Sequence, residues 1–147
     1  MSSGLRPWQG SFSPHGRWVV FNAIHPRLPE ATSTLDVIPG AGGKDLHWTP
    51  LTDPTEPHAW ADKPRWSPDG KLLYFWLLSL YNVWALHFEN AHGTAVCAPF
   101  QVTHFDSRVR HIDTAIGGTD TSVSRTSLLL AMTDTTGSIW MLDNVDK

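Results

Sequence analysis

The stretch RWSPDGKLLYFW, residues 65–76, has an earlier counterpart in SFSPHGRWVVFN, residues 11–22. The serines of the two Ser-Pro pairs lie 54 positions apart (67 minus 13). In each copy the proline fixes the first central position of a turn, and a polar residue and a glycine supply the cap and the positive-φ position. The apolar and aromatic residues that follow are typical of a half-buried strand. The sequence therefore predicts, twice, a tight turn that leads into a strand.

The repeat extends over most of the chain, which indicates a repeat architecture. Each unit has a polar turn, a strand, a second turn and another strand, and the first two units finish in Leu51-Thr52 and Val102-Thr103. The third unit is degenerate, because residues 124–127 read SRTS where the other units have a Ser-Pro turn. We predict one domain, residues 1–147, with units at residues 8–52, 53–103 and 104–147.

The composition favours a globular all-β protein over other classes. The chain is 41% apolar and has eight Trp, with 11 Gly and 11 Pro to break the short apolar runs. Its net charge is −3, and it lacks the long basic block that a sequence-independent nucleic-acid binder needs, so we predict no nucleic-acid partner. Cys97 is the only cysteine and has no partner for an internal disulfide.

The longest apolar run, LLYFWLLSLYNVWALHF at residues 72–88, does not predict a membrane span. Ser79, Asn82 and His87 interrupt it, and a span needs about 20 consecutive apolar residues. We interpret it as two buried strands joined by a tight turn. The N-terminal residues show neither the charged start nor the apolar stretch of a secretion signal, and the sequence gives no cellular location.

The motif at residues 66–75, Trp-Ser-Pro-Asp-Gly-Lys followed by an apolar-aromatic strand, resembles the blade repeat of TolB-type β-propellers, the WD40-like PD40 repeat. The later segment GSIWM, residues 137–141, resembles the last strand of such a blade. The resemblance implies the C-terminal part of such a propeller, with about three antiparallel blades. Proteins of that family are often extracytoplasmic and commonly bind proteins or peptides.

Three blades are fewer than the four to eight of closed propellers, and an open set of blades leaves two unprotected edges. We therefore predict self-association through the open blade edges, with two copies supplying six blades. The alternative is that the chain is a piece of a larger propeller without independent activity.

The segment HFDSRVRHID, residues 104–113, is the most suggestive polar cluster. It contains His-x-Asp twice, at residues 104–106 and 111–113. Imidazole and carboxylate groups at this spacing can hold Zn²⁺ or a harder ion that activates water. They can also supply a histidine base that a carboxylate orients. The alternative is a polar loop between blades in which arginines pair with the aspartates. The predicted catalytic residues are His104 and His111, and the predicted metal ligands in this segment are Asp106 and Asp113.

Two further sets of residues are candidate ligand contacts. Asp53 and Asp62 flank an acidic loop whose carboxylates suit Ca²⁺, although a solvated loop is the alternative interpretation. Trp8, Trp48 and Trp60 stand in polar, proline-containing segments, where an exposed indole could stack on a sugar or a proline-rich peptide.

Three functions are compatible with these patterns. The first is a binding module that presents propeller loops to a protein, peptide or glycan. The second is a small hydrolase of lactone or ester bonds assisted by Ca²⁺ or Zn²⁺, which rests on analogy between folds. The third is the inactive fragment described above. Complete signatures of a phosphate-binding loop or a nucleophile elbow are absent from the sequence.

Overall fold

The computed structural model describes residues 6–25, 32–44, 46–53, 55, 60–77, 82–105, 109–112 and 121–137. Within these ranges every regular element is a β-strand, and all pairs of strands are antiparallel. The prediction of an all-β fold is therefore confirmed. In the same part of the chain, no helix has the length and apolar character to cross a membrane.

The first sheet is an antiparallel meander of four strands in chain order. Its second and third strands are the longest, and they pair along all eight of their residues because both are rich in β-branched and aromatic side chains. The strands are β1 (Arg6–Phe12), β2 (Trp18–His25), β3 (Thr32–Pro39) and β4 (Thr49–Pro50).

The second sheet repeats this order with a divided outer strand. Two short strands both pair with its third strand and take the place that one strand has in the first sheet. The strands are β5 (Ala61–Trp66), β6 (Leu72–Leu77), β7 (Asn82–Glu89), β8 (Thr94–Ala95) and β9 (Phe100–Gln101). The interpretation of residues 72–88 as two strands is confirmed by β6 and β7, while residues 78–81 between them lie outside the described residues.

The third unit consists of two short antiparallel ladders. In one, β10 (Arg110–Ile112) pairs with β13 (Met132–Asp134). In the other, β11 (Ser122–Val123) pairs with β12 (Leu128–Leu129).

The two Ser-Pro turns have the same hydrogen bonds. The amide of Ser13 donates to the Trp18 carbonyl at 2.8 Å, and that of Ser67 donates to the Leu72 carbonyl at 2.9 Å. In return, the amides of Trp18 and Leu72 donate to the two serine hydroxyls at 3.0 and 2.9 Å. The glycine of each turn has a φ of 67° or 69°. The predicted turn is thus present in both copies.

The Leu-Thr and Val-Thr endings also have the same role in their sheets. The Thr52 hydroxyl accepts from the Leu35 amide at 2.9 Å, and the Thr103 hydroxyl accepts from the Val83 amide at 2.9 Å. Each threonine thereby ties the end of its unit to the third strand of the same sheet.

A β-bulge interrupts the first strand of both sheets at the same repeat position. The register shifts after Trp8 in β1 and after Asp62 in β5. The next residue in each strand, Gln9 or Lys63, has a positive φ of 52° or 50°, which is uncommon for a residue with a side chain. The two bulges touch, because the Lys63 amide donates to Oε1 of Gln9 at 3.0 Å.

In the third unit, the pairs between β10 and β13 reach Ile112, and those between β11 and β12 begin at Ser122. Residues 113–120 lie outside the described residues. Two register pairs that precede the bulges of the first two sheets are equivalent in the repeat. They are Trp8 with Asn22 and Asp62 with Trp76.

The second sheet lies between the other two units, because each of its faces belongs to a different apolar cluster. The first cluster joins the first and second sheets, and the second cluster joins the second sheet to the third unit. Buried members of the first are Val20, Leu35, Val37, Leu51, Ala61, Trp66, Leu73, Phe75, Leu86 and Phe88. The second comprises Trp76, Val83 and Ile112, with Tyr74, Val102, Phe105, Leu128 and Leu130 packed against them.

Candidate functional site

A groove of about 480 Å³ lies at the edge of the first sheet, where the turn between β1 and β2 meets the turn after β3. Two turns that contain glycine meet at this edge, and Gly16 and Gly40 of these turns line the groove. It is lined by Gly16, Arg17, Trp18, Pro39, Gly40 and Ala91, among others.

The walls of the groove are held by three specific contacts. The Gly40 amide donates to the Arg17 carbonyl at 2.7 Å and joins the two turns. The Trp18 indole nitrogen donates to the Asn90 carbonyl of the second sheet at 3.0 Å. Behind the indole lies Gly93, where an added Cβ would meet the Trp18 ring carbons. The indole is therefore fixed in position before any ligand arrives.

The chemistry of the groove suits a peptide with an acidic group. Arg17 is exposed at its rim, and a guanidinium binds carboxylates through paired, charge-assisted hydrogen bonds. The half-buried Trp18 offers part of an aromatic surface beside it. Sequence reasoning missed this site because Trp18 lies in the apolar run that predicts a strand after the first Ser-Pro turn. The available signals were the Arg17-Trp18 pair and the glycine-rich PGAGG run at residues 39–43.

Asp62, predicted as a metal ligand, lies in the interface between the first two sheets. Its Oδ1 accepts from Nδ2 of Asn22 at 2.8 Å and from the Lys63 amide at 2.8 Å. Nδ2 of Asn22 also donates to the Ala61 carbonyl at 3.0 Å, as does the Ser33 hydroxyl at 2.8 Å. Asp62 therefore takes part in a polar contact that joins two sheets.

Asp53, the other aspartate predicted to bind Ca²⁺, is exposed and stabilises its own loop. Its Oδ1 accepts from the hydroxyl and the amide of Thr55, at 2.7 and 2.8 Å. These bonds, the hydroxyl first, hold the pKa of the Asp53 carboxyl below its usual value.

The predicted histidine site is described only in part. His104 is exposed, and His111 is half-buried in β10 opposite Thr133, while Asp106 and Asp113 lie outside the described residues. Within the described ranges, no group of three or more His, Cys, Asp and Glu side chains could hold a metal ion. The hydrolase with bound Ca²⁺ or Zn²⁺ stays a prediction.

An ion pair fixes the strand that carries His111. Arg110 donates from Nε and Nη2 to the two carboxylate oxygens of Asp134, at 2.7 and 2.9 Å. The hydrogen bond and the charge of Arg110 lower the pKa of the Asp134 carboxyl. Both side chains are exposed, so we attribute little stability to the pair.

The three tryptophans predicted to stack on ligands differ in exposure. Trp48 is half-buried and packs edge-to-face on Phe21, with 4.8 Å between ring centroids. Trp60 is half-buried beside Ser33. Trp8 is 56% exposed, so it is the member of this trio with most surface free for a partner.

A buried hydrogen-bond chain crosses β2 and β3. Nε2 of His25 lies 2.9 Å from the Thr34 hydroxyl, which donates to Oδ1 of Asp36 at 2.9 Å. Burial raises the pKa of the Asp36 carboxyl, against the smaller lowering effects of Thr34 and His25. The sequence analysis did not identify these hydrogen-bonded residues, although Thr34 and Asp36 alternate along β3 and His25 ends the neighbouring strand.

Asp36 should make the free energy of unfolding decrease as the pH rises above its ordinary pKa of 3.8. A carboxyl whose pKa is raised by folding contributes its stability fully below the unfolded pKa and loses it as the pH rises through the folded pKa. We expect the wild type to lose stability relative to Asp36→Asn over that window, in urea titrations from about pH 3 to about pH 7. Asp53→Asn is the control, because the wild type should gain stability relative to this variant as the pH rises. A difference in unfolding free energy between wild type and Asp36→Asn that does not change with pH would contradict the prediction.

Neither a scan against models of protein families nor a search of curated proteins finds a match to this chain. Its function is therefore inferred from its own residues and their geometry.

Proposed function

We propose that this chain is a segment of a TolB-like β-propeller and serves as a binding module for a protein or peptide. The first two units share the turn, the bulge and the closing threonine, and the described part of the third unit consists of two antiparallel ladders. The units also pack face to face, as propeller blades do. These features support the propeller assignment.

The observation that carries the binding role is the groove beside Trp18. It combines a fixed indole, two glycines and an exposed guanidinium in one groove of about 480 Å³. Such a surface accepts an extended segment and orients it through a few polar contacts. We infer that its ligand is a short peptide segment with a Glu or Asp side chain, or a terminal carboxylate, against Arg17.

A peptide array with matched acidic, neutral and basic sequences tests this proposal. We expect the protein to retain acidic peptides selectively. Arg17→Glu should weaken their binding at least about tenfold, because a hydrogen bond between charged groups contributes about 1.5–3 kcal/mol. Fluorescence anisotropy with the best peptide then gives the affinities.

Lys71→Glu is the matched control, because Lys71 is exposed and occupies in the second Ser-Pro turn the position that Arg17 has in the first. It makes the same change of charge at a residue that does not line the groove, so it should weaken binding much less than Arg17→Glu. Equal binding by the Arg17→Glu variant, or a preference for basic peptides, would show that the groove is not the site.

A further inference from the structure

The indole wall of the groove belongs to the first sheet, but the second sheet holds it in place. Phe88, near the end of β7, packs edge-to-face on Trp18 with 6.1 Å between ring centroids. In the turn from β7 to β8, the Asn90 carbonyl accepts the indole hydrogen bond at 3.0 Å, and Gly93 lies against the ring. Ala91 of the same turn lines the groove. The groove is therefore shared between two units.

The two sheets differ at the place where this wall forms. The Gly40 amide donates to the Arg17 carbonyl, and in the second sheet the Phe88 amide donates to the Lys71 carbonyl at 2.8 Å. Gly40 and Phe88 therefore have the same place in the repeat. β3 ends at Pro39, just before this place, whereas β7 continues through it and turns into β8. Among the described strands of the first sheet, β8 has no counterpart, and its hairpin supplies one side of the groove.

The side chain of Asn90 ties this hairpin to the second Ser-Pro turn. Its Nδ2 donates to the Gly70 carbonyl at 2.9 Å. The packing is close there, because a Cβ at Gly70 would lie 3.6 Å from Nδ2 of Asn90 and 3.5 Å from Cδ of Pro14 in the first Ser-Pro turn. Asn90 thus holds the hairpin with its side chain and orients Trp18 with its carbonyl. It is half-buried and is not one of the residues that line the groove.

We propose that Asn90 is a positioning residue of the groove, which sets the affinity for the peptide through Trp18 and Ala91 without touching the peptide. The inference rests on the binding role proposed above. The bond from Asn90 to Gly70 keeps the carbonyl where the indole nitrogen reaches it. Without this bond the turn takes up other positions, and only the molecules with the indole in place bind the peptide. The apparent Kd rises by the inverse of that fraction.

Binding of the best acidic peptide from the array, measured by fluorescence anisotropy, is the first test. Asn90→Ala removes the amide donor, and Asn90→Leu removes it while keeping a branched side chain of similar size. We expect both variants to weaken binding at least about threefold, the effect of losing one hydrogen bond. His92→Ala is the matched control, because His92 stands in the same turn and bonds to the exposed Glu89. It should stay within about twofold of the wild type.

The hydrogen bond of the indole gives a second measurement, which separates positioning from stability. The Trp18 indole N–H gives one cross-peak in a nitrogen–proton correlation spectrum, identified by its loss in Trp18→Phe. In the protein without peptide, both Asn90 variants should move this cross-peak and speed its hydrogen exchange with water at least about threefold. An asparagine with only a structural role would lower the free energy of unfolding in urea and leave the cross-peak and the affinity unchanged.

Three results would overturn the inference. They are an unmoved cross-peak in both Asn90 variants, a moved cross-peak with wild-type affinity, and an equal loss of affinity in His92→Ala. Failure of the proposed function gives a different result, because the wild type would then bind no acidic peptide. In that case the cross-peak alone supports or overturns the positioning of Trp18 by Asn90.

Discussion

Replacing Trp76 with alanine should lower the free energy of unfolding by about 3–5 kcal/mol. Trp76 is 1% exposed and stands at the centre of the cluster that joins the second sheet to the third unit. Its indole nitrogen donates to the Thr121 hydroxyl, and Nζ of Lys63 lies 4.6 Å from its ring centroid. The substitution thus removes a large apolar surface, a hydrogen bond and a cation–π contact, and urea denaturation followed by circular dichroism measures the loss.

Two further variants make this result specific. Trp76→Phe keeps most of the ring and should cost clearly less than Trp76→Ala. Val96→Ala, at a 65% exposed position, should change stability by no more than about 0.5 kcal/mol. If Trp76→Ala cost less than about 1 kcal/mol, the third unit would not be packed on the second sheet as described.

Replacing Gly93 with alanine should destabilise the fold by about 3 kcal/mol, for two independent reasons. Its φ is 72°, a backbone conformation that residues with a Cβ adopt at a cost. The new Cβ would also lie 2.6 and 2.8 Å from two carbons of the Trp18 ring, which cannot move freely because its indole donates to Asn90.

Gly16 separates these two causes. It has a similar φ of 67°, but no atom lies within 4 Å of the place where its Cβ would stand. Gly16→Ala should therefore cost only about 1 kcal/mol, the contribution of the backbone alone. If thermal or urea unfolding gave the same loss for both variants, the contact between Gly93 and Trp18 would have no energetic weight.

The parts of the fold that depend on short-range rules could be predicted from the sequence. The Ser-Pro turns follow from the conformational limits of proline and glycine. The polar cap of the second turn follows from Asp69, which accepts hydrogen bonds from Ser67 and Lys71. These bonds, chiefly that from the Ser67 hydroxyl, lower the pKa of the Asp69 carboxyl. Strand order within each sheet follows from the repeat, because a short turn joins antiparallel neighbours.

The candidate sites could be predicted less well, because they depend on contacts between distant segments. Asp62 stands in an acidic loop in the sequence, yet its carboxylate bonds to Asn22, 40 positions away. In the sequence, Trp18 is one apolar residue of a predicted strand. It lines a groove only because the turns after β1 and β3 are hydrogen-bonded to each other in the fold. Trp48 stands in a polar segment but packs on Phe21. Residue type and spacing do not encode such contacts.

One position of the second strand takes part in both internal interfaces with opposite chemistry, because it is the polar Asn22 in the first sheet and the apolar Trp76 in the second. Asn22 donates to the Asp62 carboxylate of the second sheet, and it would lose this charged acceptor if it faced the apolar Ile112 instead, at a cost of about 1.5–3 kcal/mol. Tandem repeats risk joining in the wrong order while the chain is being made. The polar pair Asn22–Asp62 at the first interface and the apolar pair Trp76–Ile112 at the second therefore favour one order of packing of the units during folding.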